Sequence, residues 1–93
     1  MDLSELRGEI DAIDDQLVDL FCRRMEIAGK VAQYKKENNL PVFIPSRELE
    51  ILEKVSGKAD PEFSGYMRTL YSLLFELSRD YQNKQNETPG EVI

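Results

Sequence analysis

The longest uninterrupted helical pattern covers residues 3–37, which read LSELRGEIDAIDDQLVDLFCRRMEIAGKVAQYKKE. It contains no proline, and its apolar residues recur at intervals of three, four and seven, which places them on one face of an α-helix. These residues are Leu6, Ile10, Ile13, Leu17, Leu20, Ile27 and Val31. Asp2 and Glu5 resemble a capping box at the start, and Pro41 prevents continuation beyond Asn38–Asn39. The stretch therefore predicts one long helix.

Two shorter helical patterns follow. The first covers about residues 46–56, opened by Pro45–Ser46 and closed by Gly57. The second covers about residues 61–85, with Asp60 as its N-cap and Pro61 at its first position. Its predicted buried face consists of Phe63, Met67, Leu70, Leu74, Leu77 and Tyr81. Because no alternating strand pattern occurs, we predict an all-α domain of three helices over residues 1–85, with a polar, flexible tail over residues 86–93.

The length of the first helix predicts the assembly. At 1.5 Å per residue it would be roughly 50 Å long. A compact chain of this size has a radius of gyration of about 12 Å, so the helix does not fit within its own protomer. A second chain must cover its apolar stripe, and we predict an intertwined homodimer with two-fold symmetry.

The composition excludes several classes of function. The chain has 93 residues and a formal charge of -6, whereas a general nucleic-acid-binding protein is basic. It has no histidine and one cysteine, Cys22. This excludes the common zinc sites, a Ser-His-Asp triad or Cys-His dyad within the chain, and an intrachain disulfide. No apolar run approaches the roughly 20 residues that span a bilayer, and the N-terminus lacks a signal-peptide core. We therefore expect a cytoplasmic protein that binds no metal, nucleic acid or membrane.

The apolar stripe of the long helix is interrupted by a cation. The seven-residue series that starts at Ile10 places Arg24 between Leu17 and Val31. A charge at such a position is costly unless it is paired, so Arg24 either forms an ion pair or clamps an anionic ligand. Lys35 lies eleven residues further on, on the same face and roughly 16 Å along the axis, so the two side chains can converge on one small ligand.

Five other polar residues have both a structural and a functional interpretation. Arg7 lies roughly 25 Å before Arg24 and is either a solvated first-turn residue or a contribution from an antiparallel partner chain. Ser78 and Gln82 are helical neighbours that form either a polar rim or hydrogen-bonding groups in a cavity. Glu48 suits the positive end of a helix in any case. Arg47 beside it is typical of a surface position.

These residues, taken in order, resemble a known family. The segments LRGEIDAIDDQLVDLFCRRMEIAGKVAQYK and PVFIPSRELEIL, followed by Ser78 and Gln82, closely resemble the all-helical class of chorismate mutases over residues 3–85. The resemblance implies an intertwined helical dimer with two active sites. It also implies conversion of chorismate to prephenate, a step toward phenylalanine and tyrosine. This [3,3] rearrangement needs no cofactor, nucleophile or proton transfer.

The resemblance also implies roles for individual residues. Lys35 would contact a carboxylate and the ether oxygen, Gln82 would donate to that oxygen, and Glu48 would accept from the ring hydroxyl. Both donors would face the oxygen on which negative charge develops in the transition state. The substrate-binding residues would be Arg24 and the partner's Arg7 on the two carboxylates, with assistance from Ser78 and Arg47.

One position departs from the family pattern. Ile44 stands where family members often carry Asp, so hydroxyl recognition would rest on Glu48 unless the family contact is made by the main-chain amide. Two alternatives remain. An isochorismate-pyruvate lyase shares the fold, but Glu48 favours the mutase. A non-catalytic helical dimer, acting as an interaction or regulatory module, would not need Arg24 on an apolar stripe.

Overall fold

The computed structural model describes residues 1–87 as three α-helices joined by short turns. They are α1 (Leu3–Glu37), α2 (Pro45–Lys58) and α3 (Pro61–Glu87). The all-α prediction is confirmed, because the part of the chain that the structure describes contains no strand. In the same part, no helix is long and apolar enough to cross a membrane.

The helix boundaries agree closely with the sequence prediction, with two corrections. α2 continues through Gly57 and ends at Lys58, where Ala59 becomes extended. Gly57 as the helix terminator was therefore wrong, because a helical glycine costs only about 1 kcal/mol. α3 continues past residue 85, so Asn86 and Glu87 belong to the helix and not to a tail. The rest of the predicted tail, residues 88–93, lies outside the described residues.

Both ends of α1 are fixed by local hydrogen bonds. Asp2 Oδ1 accepts from the Glu5 backbone N–H at 2.8 Å, which satisfies a free amide of the first turn. At the other end, Asn39 has a φ of 55°, a left-handed conformation that Asn tolerates better than most residues. The Leu40 N–H then donates to the Lys35 carbonyl at 2.8 Å. This turn returns the chain toward the end of α1.

α3 packs against both other helices along a face that only partly overlaps the predicted one, since Met67, Leu74 and Tyr81 are half-buried. Its buried residues are Phe75, Ser78 and Gln82, whereas Leu70 and Leu77 are 47% and 39% exposed. The prediction selected the most hydrophobic stripe. Within the protomer, the more polar neighbouring stripe faces α1 and α2, and this leaves part of the apolar stripe uncovered.

The contact between α1 and α3 depends on small residues. Ala28 and Ala32 are the buried residues of α1. A Cβ added to Gly29 would lie 3.3 Å from Tyr81 Cε2, closer than most carbon contacts. The small side chains therefore allow α3 to lie close to the C-terminal third of α1.

The rest of α1 makes no packed layer with its own chain. Every residue from 1 to 23 is exposed, including Leu6, Ile10, Ile13, Leu17 and Leu20. The protomer measures 56 × 31 × 15 Å, and its radius of gyration of 16.9 Å exceeds the value of about 12 Å for a compact chain. The apolar stripe of α1 is thus left open by its own protomer, as its length predicts.

Candidate active site

A cavity of about 580 Å³ opens between the three helices. Six of the seven side chains that the sequence predicts for the site line it. They are Arg24, Lys35, Arg47, Glu48, Ser78 and Gln82. α1 supplies the first two, the start of α2 the next two, and the buried face of α3 the last two. Residues that are up to 58 positions apart in the chain thus face one space.

Lys35 lies at the junction of α1, α3 and the turn before α2. Its Nζ donates to the Val42 carbonyl at 2.8 Å and to Gln82 Oε1 at 3.1 Å. Burial lowers the pKa of Lys35 below its ordinary value of 10.5, and the nearby Glu48 carboxylate partly opposes this by raising it. An ammonium has three N–H donors, so one remains for a ligand.

Gln82 and Ser78 form a buried pair one helical turn apart. Gln82 Nε2 donates to Ser78 Oγ at 3.0 Å, while its Oε1 accepts from Lys35. These two contacts orient the amide and leave one of its two N–H groups for a ligand. Both side chains are buried, so they do not form the exposed polar rim that was the structural alternative.

Glu48 is paired with a cation that the sequence reasoning missed. Arg79 Nη1 donates to both oxygens of the Glu48 carboxylate at 2.6 Å, across 31 residues of sequence. The guanidinium also lies over the Phe43 ring, 4.8 Å from its centroid. The position of Arg79, three residues before Gln82, was the available signal that it lies close to the same face of the helix.

The two arginines that the sequence predicts for the cavity differ in their surroundings. Arg24 is half-buried, with its guanidinium carbon 5.7 Å from the centre of the Tyr71 ring. Arg24 forms no salt bridge among residues 1–87, so within the protomer it is not held by the ion pair that was its structural alternative. Arg47 is exposed and pairs with Glu50 on the surface of α2.

The cavity is cationic although the chain is acidic. Within the described residues, its lining includes five cationic side chains, Arg23, Arg24, Lys35, Arg47 and Arg79. Two acidic side chains, Glu26 and Glu48, also line it, which leaves a net charge of +3 against -6 for the whole chain. Such a concentration of charge favours a small anionic ligand.

Comparison with known proteins agrees with this geometry. The family model described as chorismate mutase type II matches residues 6–83. The chain belongs to the chorismate mutase type II family. The match includes every residue of the cavity lining, and it confirms the family identified from the sequence.

Several curated proteins resemble this chorismate mutase type II chain. It is 43% identical over 54 residues to a bifunctional chorismate mutase/prephenate dehydratase of Aquifex aeolicus, covering 58% of this chain and 15% of that protein. It is 39% identical over 51 residues to the T-protein of Haemophilus influenzae, covering 55% of this chain and 14% of that protein. A 4-amino-4-deoxychorismate mutase of Streptomyces venezuelae is 37% identical over 46 residues, covering 50% of this chain and 45% of that protein.

The chain thus spans only about a seventh of the length of the first two relatives. No solved structure gave a significant match.

Two further predicted features of this chorismate mutase type II chain concern Ile44 and Arg7. Ile44 lines the cavity as the N-cap of α2, where its side chain forms no capping hydrogen bond. Its carbonyl accepts from the backbone N–H of Arg47 and Glu48, at 3.1 and 3.3 Å. Arg7 is exposed in the first turns of α1 and does not line the cavity of its own protomer.

Proposed function

We propose that this chain converts chorismate to prephenate in aromatic amino acid biosynthesis, without a cofactor. The observation that carries the proposal is the contact of Lys35 Nζ with Gln82 Oε1, 3.1 Å long, inside a cavity of net positive charge. It brings two hydrogen-bond donors to one point, and each retains a free N–H for a ligand. Membership of the family and the names of its relatives support the same reaction.

The reaction requires orientation and electrostatics but no chemistry on the protein. The ether C–O bond of chorismate breaks while a new C–C bond forms within the same molecule. Negative charge grows on the ether oxygen as its bond to carbon lengthens. Lys35 and Gln82 are the donors that stabilise this charge, and because they are already ordered by Val42 and Ser78, little reorganisation is needed.

The remaining residues bind the substrate. Arg24 holds one carboxylate of the dianion, with Val31 as an apolar contact in the cavity. Ser78 assists at a carboxylate, and Arg47 at the mouth adds positive charge. The Glu48 carboxylate accepts from the ring hydroxyl. Holding both ends of the substrate selects the folded conformer that can react, which contributes through orientation.

A second copy of the chain completes the site. The open apolar stripe of α1 and the exposed leucines of α3 supply a surface for this second copy. In an antiparallel pair of α1 helices, the partner's Arg7 reaches the cavity and holds the second carboxylate. We place this homodimer in the cytoplasm, where a free thiol such as Cys22 stays reduced.

The experiment that tests the proposal is turnover of chorismate by the purified protein. Chorismate absorbance is followed while the products are separated, with Arg24→Ala as the test variant. Arg68→Ala is the matched control, because Arg68 is an exposed cation of α3 that contacts Ser56 outside the cavity. We expect prephenate from the wild type and from Arg68→Ala, and a collapse of the rate in Arg24→Ala. Pyruvate and salicylate from isochorismate would instead identify a lyase, and inactivity on both compounds would identify a non-catalytic dimer.

A further inference from the structure

The pair formed by Arg79 and Glu48 sets the charge at one end of the cavity. The mechanism proposed above uses Glu48 but gives Arg79 no part. Yet Arg79 Nη1 lies 2.6 Å from each oxygen of the Glu48 carboxylate. Among residues 1–87, no other cation lies within salt-bridge distance of Glu48. The two opposite charges therefore cancel where the ring substituent of the substrate would lie.

Arg79 is held in this position from a second side. Its guanidinium lies 4.8 Å from the centre of the Phe43 ring, a distance at which a cation is attracted to an aromatic face. The side chains of Arg79 and Glu48 are only 31% and 23% exposed, so solvent screens the pair less than a surface pair. The ring contact with Phe43 and the ion pair with Glu48 together fix the guanidinium, and through it the carboxylate.

The paired carboxylate can still accept a hydrogen bond. A carboxylate has about four acceptor positions, and a single donor nitrogen placed between its oxygens leaves the others available. A neutral hydroxyl needs only such an acceptor. An ammonium group gains most from an unpaired carboxylate, and here it would meet the neighbouring positive charge of Arg79.

We propose that Arg79 is a specificity-determining positioning residue, which acts through Glu48 to favour a ring hydroxyl over a ring ammonium group. This inference rests on the proposed function, since it concerns the substituent that Glu48 would contact. The competing substrate class is a 4-amino analogue of chorismate, and the name of one relative shows that a mutase of such a compound exists. The amine of this analogue is protonated near neutral pH, so the charge at Glu48 decides between the two substrates.

The test is a series of variants in which the local charge takes three values. Glu48→Gln leaves +1, the wild type 0, Arg79→Gln -1, and the double variant returns to 0. We measure kcat/KM at pH 7 for chorismate and for 4-amino-4-deoxychorismate. The preference for the amine should rise about tenfold or more in Arg79→Gln and fall in Glu48→Gln. In the double variant it should lie near the wild-type value, although both side chains are altered.

Two readouts separate this role from a structural one. In Arg79→Gln the KM for the amine should fall with little change in kcat, because the new attraction acts on ground state and transition state alike. This advantage should disappear as the pH rises through the pKa of the substrate amine, with no matching change for chorismate. Arg79→Lys should restore the wild-type preference, since one nitrogen bonds both carboxylate oxygens in the wild type.

The outcomes distinguish the inference from the proposed function. If the wild type converts chorismate and the preference is the same across the series, the role of Arg79 is refuted and the mutase stands. A wild type that converts chorismate but prefers the 4-amino analogue would also refute the role of Arg79. If the wild type converts neither compound, the proposed function fails first. Should Arg79→Gln not fold, Phe43→Leu removes the ring beneath the guanidinium and should shift the preference in the same direction by less.

Discussion

The pKa of Lys35 is displaced from its ordinary value of 10.5. Desolvation lowers it, because burial disfavours the charged ammonium, and Glu48 opposes this in part. The catalytic role proposed for Lys35 requires the protonated form, which is present below the pKa and is lost as the pH rises through it. We therefore expect this residue to limit activity on the alkaline side.

The pH profile follows from this displacement. We expect kcat/KM for chorismate to be flat between about pH 6 and 8, because the amide of Gln82 donates without any change of protonation. It should then fall with a pKa below the ordinary lysine value of 10.5. A rate profile in buffers of constant ionic strength measures both features, and a marked loss between pH 6 and 8 would refute this account of the donors.

Gln82 gives a second test at a single residue. Gln82→Ala removes a donor aimed at the developing charge and leaves Lys35 with one partner fewer. We expect kcat to fall by about 10²–10³, or roughly 3–4 kcal/mol of barrier. Asn83→Ala is the matched control, since it removes the exposed amide of the next residue. Equal rates for the two variants in single-turnover assays would mean that Gln82 takes no part in the chemical step.

Individual side chains could be predicted where local spacing placed them on a helix face. Arg24 and Lys35 share a face of α1 by periodicity alone, and Ser78 and Gln82 are one turn apart. The pair of Arg79 and Glu48 could not be found in this way. It joins two helices across 31 residues, and its geometry depends on how α2 packs against α3.

The packing of α1 against α3 is tested by two glycines. A Cβ at Gly29 would lie 3.3 Å from Tyr81 Cε2, whereas a Cβ at Gly65 would meet nothing within 4 Å. Alanine is favoured over glycine in a helix by up to about 1 kcal/mol. Gly65→Ala should therefore raise the free energy of unfolding by up to about that amount. In Gly29→Ala the new Cβ would displace the Tyr81 ring, and the cost of this displacement should cancel the gain.

Urea denaturation at one fixed protein concentration compares the two variants, because association with a second chain makes the stability depend on concentration. Gly29→Ala should be the less stable of the pair. An equal gain in both would show that Tyr81 moves freely and that α1 and α3 are not closely packed at this point.

At the level of elements, the sequence predicted α1 best because strong local signals mark both its ends. Asp2 caps the start, and Asn38–Asn39 with Pro41 terminate it. The end of α2 was placed too early because a lone glycine is a weak terminator. The buried face of α3 was predicted only in part, because hydrophobicity alone does not show which stripe faces the same chain and which is left for another.

The shape of the whole molecule supports a second chain. Over roughly its first two thirds, residues 3–23, the 35-residue helix α1 has no covering layer, and its apolar stripe is exposed there. Burying apolar surface of this kind against a second copy is the main driving force for association. The length of α1 predicts this second copy and a two-fold symmetric pair, and both stay predictions.

The open stripe of α1 gives a direct test of association. Leu17→Glu places a charge on the stripe, whereas Val18→Glu places the same charge on the next residue, which lies off the stripe on the helix. Both side chains are exposed in the protomer, at 54% and 64%. Sedimentation should give a dimer for the wild type and Val18→Glu, and a monomer or unfolded chain for Leu17→Glu. A folded, active monomer of the wild type would refute the shared site.

The most direct test of a chorismate mutase site shared between two chains is to mix two variants that we expect to be inactive, Arg7→Ala and Arg24→Ala. Each homodimer lacks one arginine in both sites, but a mixed dimer has one site with both arginines intact. After exchange of subunits, prephenate formation should return to about a quarter of the wild-type rate, since about half of the dimers are mixed and each has one intact site of two. A mixture that remains inactive although mixed dimers form would contradict the account.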